Sequence, residues 1–312
     1  MDAMNTAVNA VLPYMIYLVF GWILRTAGIM DEPFLKKLNQ AIFLSLFPIT
    51  MFSNTHNLSL DFASCSRVLL TGLACLASVI ALSVLLTGFF VKENSRRAVI
   101  VQALYRSNAL LFALGLAESI FGSEGSALAS IAVAVFVPIY NVVAIIVLES
   151  FRGGKTDVRS LTGKVLKNPL FLGAAAGLAW SLTGIALPSV IESTMSKLSG
   201  MSTPLALMIL GGTMHLSSVK KNFKAISTVV ILKMILIPAA VTAICSMLGL
   251  TSVELFVVFV LFATPVAVSS YPMAQNMGGD GELAGELVVM TTLASVITLF
   301  GWIMILRSAA LI

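Results

Sequence analysis

Ten apolar runs dominate this chain, and most approach the length needed to cross a bilayer. They lie at about Val11–Ile29, Leu35–Phe52, Val68–Phe90, Ala98–Phe121, Ala127–Leu148, Pro169–Leu187, Thr203–Leu216, Ala225–Leu248, Leu255–Met277 and Leu283–Leu306. A helix needs roughly 20 mostly apolar residues to span the hydrocarbon. The runs are continuously apolar and do not alternate, which argues against membrane strands. The second and seventh are the shortest. Charged residues make up 11% of the 312 and apolar residues 58%, against about 25% charged in a soluble domain. Lipid is therefore the expected solvent, and the expected fold class is an all-α polytopic membrane protein with ten transmembrane helices.

The net charge of +5 does not point to nucleic acid. The basic residues fall in short clusters between the runs, a pattern that reports topology rather than a phosphate-binding face. With ten crossings, one set of loops holds Arg25, Lys36, Lys37, Lys92, Arg96, Arg97, Arg152, Lys155, Arg159, Lys164, Lys167, Lys220, Lys221 and Lys224. The other set, with both termini, holds Arg67, Lys197 and Arg307. The first set is expected on the cytoplasmic side and both termini on the outer side. The first run has no Lys or Arg before it, unlike a cleavable signal peptide. Cys65, Cys75 and Cys245 are odd in number and sit in or beside apolar runs, so they read as small buried hydrophobes rather than a disulfide framework.

The chain also repeats. LPYMIYLVFGWILRTAGI opens the first half and NPLFLGAAAGLAWSLTGI the second. Pro13 matches Pro169, Gly21 matches Gly177 and Gly28 matches Gly184, each pair 156 positions apart. Five crossings per repeat is odd, so the copies are expected to be inverted, a recurring plan of secondary transporters. The first repeat covers residues 1–150 and the second 151–312.

Two stretches disturb this oily pattern. In the fourth run, QALYRSNALLFALGLAESIFG carries Arg106, Ser107 and Asn108 in a row. In the ninth, LFATPVAVSSYPMAQNMGG places Thr264 before Pro265, with Ser269 and Ser270 ahead of Pro272. Pro265 lacks an N–H and disfavours helix at the residue before it, while the serines can bond nearby backbone. The ninth helix is expected to break. The fourth has no proline, so its break rests on its three polar residues and on the repeat. Non-helical backbone at membrane depth survives only inside protein or beside a cavity. Half-helix N-termini there carry partial positive charge. Arg106 adds a full charge whose burial costs from roughly 3 to 17 kcal/mol, and no acidic residue lies near it on its own helix. It either meets an anion that comes and goes or pairs permanently with carbonyls freed by the breaks. Asn108 either hydrogen-bonds cargo or caps a half-helix. Ser269 and Ser270 either do the same or pack helices.

Other residues carry weaker expectations. Lys233 is expected to snorkel to the cytoplasmic interface, with a place on the cargo path as the alternative. Asn141, beside Pro138, is a candidate for a site near the crossover or for helix packing. His215 reads as an interfacial histidine, Asp280 and Glu282 as solvated. GGDGEL lacks the Lys-Ser/Thr of a phosphate loop, and no metal-ligand spacing is present.

Taken together, these motifs resemble the auxin efflux carrier family, in its bacterial malonate and malate permease-like branch. FLSLFPITMFSN is similar to that family's second helix, YRSNALLFALGLAESIFGSEG to its fourth, PIYNVVAIIVLE to its fifth, LKNPLFLGAAAGL to its sixth, TPLALMILGGTM to its seventh, and ATPVAVSSYPMAQNMGGD with LAGELVVMTTLASVITLFGW to its ninth and tenth. The resemblance runs from about Val11 to Leu306. It implies two inverted five-helix repeats with broken, crossing helices four and nine, similar to NhaA-type antiporters and bile-acid symporters. It also implies a scaffold of helices one, two, six and seven and a moving domain of helices three to five and eight to ten. Carried over, the substrate-binding residues are Arg106, Ser107, Asn108, Thr264, Pro265, Ser269 and Ser270, with Asn141 beside them. Two departures count against auxin. Asn168-Pro169 is followed by Leu170 rather than the plant Asn-Thr-Tyr, and the Ser150 to Asn168 connection is short.

The expected function is secondary transport of small organic anions, carboxylates such as malonate or malate, by alternating access with elevator-like motion in a bacterial inner membrane. An anion channel and an auxin-like weak-acid efflux carrier are the alternatives, and a membrane enzyme or sensor lacks clustered catalytic side chains. No cofactor is expected. The coupling ion, Na+ or H+, stays open, and a homodimer is implied by the resemblance.

Overall fold

The computed structural model describes residues 2–56, 62–152, 158–214 and 216–312, and every regular element among them is helical. The helices are α1 (Asp2–Thr26), α2 (Glu32–Leu44), α3 (Leu46–Ser53), α4 (Phe62–Phe90), α5 (Asn94–Tyr105), α6 (Ala109–Phe151), α7 (Val158–Leu166), α8 (Pro169–Ser181), α9 (Ser189–Thr213), α10 (Leu216–Ile231), α11 (Ile237–Met247), α12 (Ser252–Ala263), α13 (Ser270–Asn276) and α14 (Gly281–Ser308). A π turn, Leu232–Leu236, joins α10 to α11. Among the described residues, four stretches are both long and apolar enough to cross a membrane: Cys65–Phe90, Phe112–Phe151, Val219–Met247 and Gly281–Ser308. The all-α membrane class expected from the sequence holds. Cys65, Cys75 and Cys245 are buried and form no disulfide.

Local chemistry explains where the helices stop. Pro48 cannot donate to the carbonyl of Leu44, and the second run divides at Ser45 (φ −118°, ψ −67°), whose hydroxyl donates to Ala41 O at 2.6 Å. Gly122 adopts φ +62°, a left-handed value that breaks α6 into two helical pieces. The break falls between the fourth and fifth runs. Pro238 leaves the carbonyl of Met234 without its usual donor, and the indole N–H of Trp302 in α14 fills the vacancy at 2.9 Å. Asn168 caps α8 by accepting from Leu170 N at 2.9 Å, and Thr251 and Glu254 form a reciprocal capping box on α12. The seventh run proved longer than its apolar part. Its helix, α9, begins at Ser189, through a polar segment that hydropathy alone does not mark as helical.

The helices sort into two packed groups. In one, α1 lies along α9, and α3 lies against both α8 and α9. Small residues let these backbones touch: a Cβ on Gly21 would strike the backbone of Met208, and one on Gly177 would strike the backbone of Phe52 and the hydroxyl of Thr55. Met208 and Phe52 stand 156 positions apart, as do Gly177 and Gly21, so one contact is the counterpart of the other with the halves exchanged. Gly211 against Leu18 has a counterpart as well, in the Thr55 hydroxyl that donates to Ala174 O at 3.1 Å. In the second group α12, buried from Leu255 to Ala263, packs on α4, α6 and α11, while α5 packs on α4, α6 and α14 and α13 on α14.

Candidate functional site

The fourth and ninth runs are both interrupted, and the interruptions meet. α5 ends at Tyr105 and α6 begins at Ala109, while α12 ends at Ala263 and α13 begins at Ser270. Thr264, ahead of Pro265, is extended (φ −76°, ψ 154°), as the proline requires. The first interruption has no proline. Its backbone is held by pairing with the second: Ser107 and Val266 form an antiparallel bridge, and Asn108 N donates to Pro265 O at 2.8 Å. Val266 N in turn donates to Thr291 Oγ1 on α14 at 3.1 Å. Each break thus satisfies polar groups the other exposes, as burial in an apolar interior demands.

Arg106 sits at this meeting point with 1% of its surface exposed. Its guanidinium donates to Asn141 Oδ1, to Ser269 Oγ at 2.7 Å and to Met273 Sδ at 2.8 Å. All three partners are neutral, and no carboxylate pairs with it among the described residues. Glu118, the nearest acid along its own helix, is exposed. A cavity of about 80 Å³ opens beside the guanidinium, lined by Arg106, Ser107, Asn108, Asn141 and Ser269 together with Phe47, Thr50, Met51, Asn54 and Thr203. Five of the eight residues named from the sequence therefore share one cavity. Pro265 contributes its carbonyl to the backbone pairing. Thr264 and Ser270 are buried, with side-chain oxygens that have no hydrogen-bond partner, and neither lines the cavity. Asn108 does not cap α6; its amide donates to the hydroxyl of Tyr14 on α1 at 3.3 Å.

Lys233 departs from its main expectation. It does not snorkel: it is 0% exposed and its Nζ donates to Ser107 Oγ in the first interruption. The π turn that carries it, and the enclosing α5, α12 and α14, turn the side chain inward. His215 lies outside the described residues. Asp280 is not simply solvated; it caps α14 through Leu283 N at 3.0 Å and pairs with Arg96 at 3.4 Å. Sequence reasoning also missed Tyr14, Tyr140, whose hydroxyl donates to Leu261 O at 2.9 Å, and Met273. Tyr140 stood two residues from Pro138, the one local signal that attention to Asn141 alone passed over.

A second cavity, of about 260 Å³, is lined by Arg25, Glu32, Lys36, Tyr271, Gln275 and Glu286 among others. The short α13 stands between the two spaces, with Ser269 at its start on the first and Tyr271 and Gln275 on the second. Tyr271 is hydrogen-bonded to Thr213 at 3.0 Å and Gln275 to Asn39 at 3.3 Å, both partners belonging to the first helix group.

The family profile described as membrane transport protein matches residues 6–303, nearly the whole chain. The chain belongs to that family. This bears out the resemblance to the auxin efflux carriers, which the same family contains. An uncharacterized transporter of Methanocaldococcus jannaschii is 24% identical over 310 residues, covering 95% of this chain and 98% of that one. An uncharacterized transporter of Methanothermobacter thermautotrophicus is 22% identical over 303 residues, covering 96% and 98%. A protein of Rhizobium meliloti named "Putative malonate transporter" is 28% identical over 149 residues, 47% of each chain. As a member of the membrane transport protein family, the chain is a multi-pass membrane transporter.

Proposed function

We propose that this transporter is a secondary carrier of small organic anions, carboxylates such as malonate or malate, working by alternating access. The observation that carries the reading is Arg106: a permanently charged group, buried at the meeting of two interrupted helices, facing a cavity, with only neutral hydrogen-bond partners. A guanidinium cannot shed its proton, so an anion entering the cavity would relieve an otherwise uncompensated charge. Asn141 and Ser269 orient the guanidinium, and the α6 N-terminus at Ala109 adds partial positive charge nearby. Ser107 and Asn108 contribute the remaining polar lining. The neutral wall of Phe47, Met51 and Leu110 suits a cargo with a short apolar body.

The mirrored glycine contacts, 156 positions apart, support an organisation of two inverted five-helix repeats at 1–150 and 151–312. The packing of α1 along α9 and of α3 on α8 and α9 supports a scaffold of the first, second, sixth and seventh spans, with the rest as the moving domain. Few side-chain hydrogen bonds join them, among them Asn108–Tyr14, Tyr271–Thr213 and Gln275–Asn39, which fits an elevator-like slide. The basic loop set supports outward termini, and a bacterial inner membrane and a homodimer complete the reading.

Uptake of labelled malonate into proteoliposomes tests the proposal, with Arg106→Gln as the decisive variant. Trans-acceleration by unlabelled carboxylate preloaded inside separates a carrier from an anion channel. Equal uptake by wild type and Arg106→Gln would sink the anion site.

A further inference from the structure

Lys233 is the middle residue of the apolar stretch Val219–Met247, and none of its surface is exposed. Its Nζ donates to Ser107 Oγ, and Ser107 lines the Arg106 cavity. No ion pair reaches it among the described residues. The elements packed on its π turn bring no acid to its depth. α5 presents Arg96 and Arg97 in its first turn and leads into Tyr105 and Arg106 at its other end. α12 has one acid, Glu254, in its opening turn, engaged with Thr251 and Arg67. α14 has Glu282 and Glu286 in its first two turns and Arg307 in its last. Glu286 accepts from Asn222 at 2.7 Å, eleven residues before Lys233 and so about 16 Å away along a helix. The flanking α10 carries Lys220, Lys221 and Lys224, and α11 carries Cys245. Tyr140 lines the cavity from α6. Ser107, next in sequence to Arg106, thus ties Lys233 to the wall of the anion cavity, and among the described residues no carboxylate offsets its charge there.

We propose that the anion travels with a proton and that Lys233 is the group that holds this proton. This rests on the anion site proposed above. The two buried cations differ in one chemical respect: arginine stays charged, whereas lysine can exist as a neutral amine. In the empty site an ammonium held only by the Ser107 hydroxyl has no counter-charge, and burying an unpaired charge is costly. The amine avoids that cost. When an anion enters the cavity it restores the counter-charge, and Lys233 takes up a proton from the aqueous side that the cavity faces. The coupling is reciprocal: the anion raises the proton affinity of Lys233, and a protonated Lys233 raises the affinity for the anion. The sign follows. Anion binding strengthens as pH falls and weakens as pH rises, and an inward proton gradient drives uptake. On release to the other side, anion and proton leave together and the amine returns.

Two measurements test this separately from the anion site. In nanodiscs, the carbon-13 resonances of labelled lysines are compared between wild type and Lys233→Met to find the Lys233 signal. It should report a neutral amine at pH 8 without carboxylate and an ammonium once malonate is added. In Arg106→Gln, malonate should leave it unchanged. In sodium-free proteoliposomes, a one-unit inward pH gradient should raise malonate accumulation about tenfold for one proton per anion. Lys233→Met, with its thermal stability checked, should lose that response, and so should Lys233→Arg, which is charged at every pH. An ammonium signal at pH 8 in the empty protein overturns the proposal. So does an amine that stays neutral through a panel of mono- and dicarboxylates, or a gradient response retained by Lys233→Met. Malonate uptake indifferent to Arg106→Gln instead overturns the anion site itself.

Discussion

The crossing of α1 with α9 and the crossover of the two interrupted helices are both built from matching halves, yet they differ in kind. At the first, each contact has its counterpart: Gly21 on Met208 repeats as Gly177 on Phe52. At the second, the halves have diverged. One break carries Arg106, Ser107 and Asn108 and no proline, while the other carries Pro265 and no charge. Both breaks persist because each satisfies the other's backbone, through the Ser107–Val266 bridge and the Asn108 to Pro265 hydrogen bond. On the proposed two-repeat organisation, duplication accounts for the frame, and the departures from it mark where cargo chemistry is expected.

The largest expected effect breaks this comparison at its charged member. Arg106→Gln keeps hydrogen bonding to Asn141 and Ser269 within reach but removes the cation. Malonate uptake should fall by about 100-fold or more, since hydrogen bonds to charged groups contribute about 1.5–3 kcal/mol each and the counter-charge is lost as well. Monodispersity and melting temperature should hold. Thr264→Val, at the start of the other break, should change uptake far less, because the Thr264 hydroxyl has no hydrogen-bond partner and Thr264 does not line the cavity. Comparable losses in the two variants would remove the asymmetry.

The symmetric member is probed by Gly21→Ala and Gly177→Ala. In each, the added methyl meets backbone that cannot step aside. Overpacking of this kind costs about 1–3 kcal/mol, so both should lower the melting temperature by similar amounts. A large drop in one and none in the other would show that the mirrored contacts are not energetically equivalent.

Much of this was legible in the sequence because its causes are local. Pro265 forbids helix at Thr264, Gly122 permits the turn inside α6, and the runs themselves report the solvent. Hydropathy, however, measures solvent preference and not helicity, so the polar opening of α9 from Ser189 was invisible. Lys233 was misread for a different reason. A π turn inserts one residue, about 100° of helical rotation, and so changes the face on which everything around it falls. Pro238 opens the Met234 carbonyl locally, but the donor that fills it, Trp302, comes from α14 and leaves no local signal. Tyr14 and Met273 reach the site across more than 90 positions of sequence, and no local pattern connects them to Arg106 or Asn108.

Whether proline or pairing holds the second break is a finer question. Pro265→Ala restores an N–H but leaves the pairing of Ser107 with Val266 intact, and should shift stability by less than about 1 kcal/mol. Thr291→Val conserves shape but strips the acceptor from Val266 N. A buried donor left unsatisfied costs about 1–3 kcal/mol, so chemical denaturation should find Thr291→Val the more destabilised of the two. The reverse order would mean that proline, not tertiary pairing, sets the break.

The smallest effect concerns the contact between frame and crossover. Asn108 Nδ2 donates to the Tyr14 hydroxyl at 3.3 Å, a long bond from the charged break to α1. If the crossover slides against α1 during transport, this bond belongs to one end state only, and removing it shifts the balance between states without touching the cargo contacts of Arg106. Tyr14→Phe keeps the ring and deletes the hydroxyl. A neutral hydrogen bond contributes about 0.5–1.5 kcal/mol, so the apparent affinity for malonate should change by about two- to tenfold, with the response to a pH gradient preserved because Lys233 and Ser107 are untouched. A change confined to melting temperature would assign the bond to the frame alone. A loss as deep as that of Arg106→Gln would mean that Tyr14 itself meets the cargo, and the site would then extend onto α1.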